Sequence, residues 1–125
     1  DGIRDRDVTG VQTCALPILQ RYEPGEQFKG HTDYFEPDSQ EYTENAMVAG
    51  NRTWTFMIYL NDVPEGGETR FDALELAFRA RTGMAVIWNN HWAGKPNPDS
   101  MHAGQPVLHG IKYVVTQWFR ERPLS

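Results

Sequence analysis

The sequence predicts an all-β core, folded as an antiparallel sandwich or barrel. Three observations predict it. The run "RTWTFMIYLN" alternates, with Thr53, Thr55, Met57 and Tyr59 on one face and Trp54, Phe56, Ile58 and Leu60 on the other. "MAVIW" and "GIKYVVTQWF" are further apolar, β-branched and aromatic runs. Turn signals stand close together between the runs: "EPGE", "PEGGE", "RTG" and "KPNPDS". Short strands at such spacing, with Gly and Pro punctuation, are the pattern of sandwiches and barrels. Four Trp, five Tyr and six Phe supply the apolar area such an interior needs.

Taken from the N-terminus, the first stretch is "DGIRDRDVTGVQTCALPI", residues 1–18. It has no strand or helix period. Its codons can be written as a short-read library adapter in frame, so it is read as an adapter-derived artefact outside the fold. The domain is then residues 19–125, with its first core strand clipped at Leu19. Setting residues 1–18 aside removes two arginines and three aspartates, which takes the net charge from −5 to −4. It also removes Cys14, the only cysteine. No disulfide framework remains, which fits a reducing compartment and an expected cytoplasmic location. No apolar run is long enough to span a membrane as a helix, and no basic patch favours nucleic acid.

"EQFKGHTDYF" is expected to be a strand, then a long connection, then the alternating strand at residues 52–61. The connection "EPDSQEYTENAMVAG" carries Glu36, Asp38, Glu41 and Glu44 and no base. It reads either as a solvated loop or as a lid over a site. "ELAFRA" is a further strand. Only "DALELAFRARTG" could pass for a helix, and Gly83 would stop it.

The chemistry starts at His31 and Asp33. On a strand, residues two apart share a face, which would set the pair about 6–7 Å apart. Two readings are open: polarity on an edge strand, or half of a metal site. Two histidines, one carboxylate and open positions are the pattern of non-haem Fe(II) oxygenases, but H-x-D alone is a weak signal. In the last strand, Lys112 shares a face with Val114, Thr116 and Trp118. If that face is inward, Lys112 needs an anionic partner. The pattern equally allows Tyr113, Val115 and Phe119 to be the inward set.

Three runs together, "RYEPGEQFKGHTDYF", "RTWTFMIYLNDVPEGGETRF" and "MHAGQPVLHGIKYVVTQWFRERP", resemble the catalytic domain of the prolyl 4-hydroxylase family. The resemblance covers residues 19–123. It implies a double-stranded β-helix, or jelly roll, here lacking the family's N-terminal helices and flanking strands. It implies Fe(II), 2-oxoglutarate and O2 as cofactors and cosubstrates, with ascorbate as an optional reductant. The reaction implied is hydroxylation of a C–H bond in a peptide, foremost peptidyl proline, or in a small molecule, with release of succinate and CO2. By position, His31, Asp33 and His102 match the iron ligands. Lys112 matches the base that pairs with the far carboxylate of 2-oxoglutarate, and Tyr59 a tyrosine on the same carboxylate. Tyr22 matches a tyrosine near the cosubstrate, and Thr116 and Trp118 match pocket positions behind it. His109 is expected at the surface, His91 at the rim of the site, and Asp62 and Glu68 in a solvated turn. A non-catalytic jelly-roll binding module with a vestigial metal site, or an inactive fragment, is the alternative. A zinc hydrolase on the same ligands would leave Lys112 without a role. The oligomeric state is not legible.

Overall fold

The structure is a computed structural model and describes residues 16–122. Residues 1–15, most of the segment read as adapter translation, lie outside the described residues. The described chain forms β1 (Ile18–Tyr22), β2 (Phe28–His31), α1 (Gln40–Asn45), β3 (Arg52–Tyr59), β4 (Glu65–Gly66), β5 (Thr69–Phe71), β6 (Leu76–Phe78), β7 (Ala85–Asn89), β8 (His91–Trp92), β9 (Lys95–Pro96), β10 (His102–Gly104), β11 (Val107–His109) and β12 (Lys112–Arg120).

Two four-stranded antiparallel sheets carry the architecture. The major sheet has the order β1-β12-β3-β7 and the minor sheet β2-β10-β5-β6. Two-stranded pairs, β11 with β4 and β8 with β9, extend the ends. The jelly-roll expectation is met. β3 is central because its alternation serves two neighbours at once. Thr55 lies opposite Trp118 on β12 and Trp88 on β7, and Met57 lies opposite Thr116 and Val86. Such cross-strand rows of β-branched and aromatic side chains are the unit of sheet stability.

The inward faces are the less apolar ones. On β3, Thr55, Met57 and Tyr59 are buried, while Trp54 on the opposite face is 48% exposed. On β12 the Lys112, Val114 and Thr116 face is buried. Ile87 on β7 and Phe119 on β12 lie with Trp54 on the outer face and are exposed too. The apolar core of Met57, Tyr59, Val63, Phe71, Val86, Trp88, Val107 and Val114 fills one part of the space between the sheets. Buried polar groups fill the rest: Asp33, Asn51, Thr55, Thr69, Asn90, His102, Lys112 and Thr116.

Two elements differ from the sequence reading, and a third follows it. β2 stops at His31, so Asp33 lies in the bend beyond the strand. The strand expected at "ELAFRA" is present as β6, preceded by a single 3-10 turn at Asp72–Leu74 in the segment that could pass for a helix. The acidic connection carries the short helix α1 rather than running as a bare loop. Ser39 caps α1 by accepting from the Tyr42 amide at 3.0 Å. The return to β3 is then clamped. Arg120 donates to the Asn45 and Gly50 carbonyls, and Arg122 to those of Val48 and Met47. Buried Asn51 accepts from the Phe35 amide and donates to the Phe35 carbonyl, both at 2.7 Å. These bonds tie the loop to the strands flanking the site.

Gly66 shows how closely the β4–β11 ribbon packs. Its φ is +80°, and an added Cβ would sit 2.3 Å from the Pro106 carbonyl oxygen and 2.6 Å from the Leu108 amide nitrogen, both backbone. Gly66→Ala is expected to lower stability by at least about 2 kcal/mol, the left-handed cost of about 1–2 kcal/mol plus a clash that only backbone movement relieves. Urea denaturation checks it; a loss under half that size would mean the ribbon yields freely.

Candidate functional site

β2 and β10 are neighbours, with His31 opposite His102. The bend after β2 turns Asp33 back toward both rings. The Asp33 Oδ1 atom lies 3.4 Å from His31 Nε2 and 3.5 Å from His102 Nε2. One ligand atom from each of the three residues falls within 4.8 Å of the others. The site is therefore assembled across two strands and a bend rather than along one strand face.

The donor chemistry fits a divalent metal. His31 Nδ1 is 2.8 Å from the Lys29 carbonyl, and His102 Nδ1 is 2.8 Å from the Ser100 carbonyl. A carbonyl only accepts, so each Nδ1 carries a proton, and each Nε2 offers its lone pair to a metal once it gives up any proton it shares with Asp33. Both Nε2 atoms face the Asp33 carboxylate. Burial alone would raise the pKa of Asp33, but the His31 bond, the charge of His102 and bonds from Thr55 and Trp118 hold it down at about 2. Burial pushes His102 below its usual value despite the nearby carboxylate. Burial also acts to lower His31, yet its bonds to Asp33 and the Lys29 carbonyl outweigh that and raise it. The result is an anionic oxygen beside two imidazoles, the 2-His-1-carboxylate set suited to Fe(II). Asp33 Oδ2 faces the other way, toward the major sheet. It accepts from Thr55 Oγ1 at 2.7 Å and Trp118 Nε1 at 3.2 Å.

The three residues open onto a cavity of about 460 Å³. Lys112, Thr116, Tyr22 and Trp118 line it as well. Lys112 is 3% exposed, and its ammonium donates to the Gly67 carbonyl at 3.1 Å and sits 4.6 Å from the centre of the Tyr22 ring. Gly67 leaves it that path, since a Cβ there would meet Lys112 Cδ at 3.3 Å. Burial pulls the ammonium down to about 8, with Glu68 opposing. Tyr59 does not line the cavity. It is fully buried, and its hydroxyl bonds to Thr69 Oγ1 and the Phe78 carbonyl. Thr69 does line the cavity, a position the sequence reading missed. Its one signal was its place two residues after the double glycine.

The remaining predicted residues fall elsewhere. His109 is exposed on β11. His91 does not line the cavity and packs toward Glu121, with Nδ1 3.8 Å from its carboxylate. Asp62 is exposed and accepts from the Thr82 amide and hydroxyl. The lining also includes one residue that was not singled out, Arg52, and one from the acidic connection, Glu41. Arg52 stacks 3.9 Å from the centre of the Trp118 ring, and Glu41 stands exposed on α1.

A jelly roll whose sheets enclose three metal-ligating side chains and a buried lysine in one cavity defines the class: a fold with a site able to hold a single metal ion. Residues 17–120 match the model of the 2OG-Fe(II) oxygenase superfamily, and the chain belongs to that family. It is 33% identical over 123 residues to human prolyl 4-hydroxylase subunit alpha-1, covering 96% of this chain and 23% of that one. A homologue from Acanthamoeba polyphaga mimivirus is 37% identical over 109 residues, 84% of this chain and 44% of its own. The viral collagen prolyl hydroxylase vCPH from Paramecium Bursaria Chlorella virus-1, solved as a 2OG complex, superposes with a TM-score of 0.74 at 29% identity. That match covers 86% of this chain and 59% of vCPH. The chain thus spans less than half the length of these two curated relatives.

Lys112 gives the site a pH signature. A carboxylate ligand binds the ammonium and not the amine, and the ammonium is lost as pH rises through about 8. Affinity for 2-oxoglutarate is expected to be flat below that point and to weaken by about tenfold per pH unit above it. Titration of the cosubstrate from pH 6.5 to 9.5 checks it; a flat profile would show that Lys112 does not hold the anion.

Proposed function

We propose that the chain is the catalytic part of an Fe(II)- and 2-oxoglutarate-dependent dioxygenase that hydroxylates a C–H bond, with peptidyl proline as the target. The observation that carries this is the shared cavity: three metal-ligating atoms within 4.8 Å and a buried ammonium among the same lining residues. Iron with 2-oxoglutarate and O2 supplies the oxidation, releasing succinate and CO2, and ascorbate serves as reductant.

The chain's own residues supply placement. His31, Asp33 and His102 would hold one face of the ion and leave the other face toward the cavity. Lys112 would pair with the far carboxylate of the keto acid, and the Thr69 hydroxyl on the same wall offers it a second polar contact. Tyr22 covers the ammonium and keeps water from it. Together these fix one pose for the cosubstrate before substrate arrives. Tyr34, Phe35 and Trp118 give the rest of the lining an aromatic wall, with Arg52 and Glu41 as its charged groups. Aromatic faces with a few polar groups suit a proline-containing peptide. The names of the human and chlorella-virus relatives support proline as the target.

The test incubates the protein with Fe(II), ascorbate, 2-oxoglutarate and a proline-rich peptide, and measures succinate and hydroxyproline. Peptide-dependent succinate is expected. His102→Ala is expected to cut it by more than about a hundredfold, beyond what loss of an outer partner of a ligand costs. Folded, metal-loaded protein that makes no succinate would favour the binding-module reading.

A further inference from the structure

Asn90 is fully buried in the bend just after β7, outside the cavity, and no step above uses it. Its backbone is spent on structure: the amide donates to the Thr53 carbonyl at 2.7 Å and the carbonyl accepts from the Asn97 amide at 2.9 Å. Its side chain donates from Nδ2 to Thr55 Oγ1 at 2.8 Å. Its Oδ1 has no partner among the described residues. An orphaned carbonyl in the interior is a cost that packing alone does not explain, since a leucine would fill similar space without it.

The direction of the bonds gives the side chain a role. Thr55 Oγ1 has one hydrogen and two bonded neighbours, Asn90 Nδ2 and Asp33 Oδ2. An amide nitrogen only donates, so Thr55 accepts from Asn90. The Thr55 hydrogen is then left for Asp33, whose carboxylate accepts. Trp118 adds a second donor to the same oxygen. We infer that Asn90 is a positioning residue: through Thr55 it ties up Asp33 Oδ2 and leaves Oδ1 as the one oxygen presented to the metal. The inference rests on the metal reading above and concerns how the carboxylate is aimed.

Co(II) is the probe, since its d–d absorption reports ligand number and its titration reports affinity without turnover. Thr55→Val and Asn90→Leu are each expected to weaken Co(II) binding by about tenfold and to shift the d–d bands as Asp33 becomes free to rotate. Thr55→Ser keeps the hydroxyl and is expected to stay near wild type. The double variant is expected to be no worse than Thr55→Val, because both act through one hydrogen. Wild-type affinity in Asn90→Leu, or losses that multiply in the double variant, would overturn the inference. Should Asn90→Leu fail to fold by circular dichroism, Asn90→Asp carries the test. Its carboxylate would take the Thr55 hydrogen, so the spectrum of Thr55→Val is expected, and the wild-type spectrum would overturn the inference. If the wild-type protein binds no Co(II), the metal reading falls and this inference with it, a result distinct from the others.

Discussion

The Asp33 carboxylate joins the two sheets. One oxygen faces His31 and His102, which the minor sheet carries on β2 and β10. The other is held by Thr55 and Trp118, from β3 and β12 of the major sheet. A buried carboxylate is tolerable only when its lone pairs are taken. Here hydroxyl and indole donors take one side, and the side toward the imidazoles is left for a cation. The spacing of the sheets, the bend after β2 and the clamped return into β3 all serve to keep that group in place. Asn51 holds the Phe35 backbone two residues beyond it.

The same interior holds a second unbalanced charge. Lys112 has a carbonyl and an aromatic face for company, both weaker than a carboxylate. A fall of its pKa from 10.5 to about 8 corresponds to a penalty on the order of 3 kcal/mol against the ammonium. A dicarboxylate paired with Lys112, as proposed, would relieve that penalty. Binding and folding pull against each other at this position, as they do at the carboxylate.

These demands explain why the sheet faces run against simple hydrophobic expectation. Trp54, Phe56 and Ile58 are more apolar than Thr55, Met57 and Tyr59, yet it is the second set that is buried. A face that lines a charged cavity needs hydroxyls to donate and modest volume to leave room. The same holds on β12, where Lys112 and Thr116 face inward and Tyr113 and Phe119 face out. The unequal composition is a mark of the site rather than of the core.

Much was legible in the chain itself. Period-two alternation located β3, because strand geometry imposes that period whatever the neighbours do, and apolar, β-branched and aromatic runs located β7 and β12. The groups that meet in the cavity were named by the resemblance of three runs to the prolyl 4-hydroxylase family, because H-x-D alone is too short a pattern to separate a ligand pair from surface polarity. Which face of β12 turned inward was not legible, because Val114 and Val115 are equally apolar and only the opposing sheet breaks the tie. Nor was the service of Thr55, Asn90 and Trp118 to Asp33, or the displacement of Tyr59 by Thr69 at the cavity wall. Those depend on contacts between residues 10 to 85 positions apart. Local sequence fixes which way a side chain alternates; only the closed sandwich fixes what it meets there.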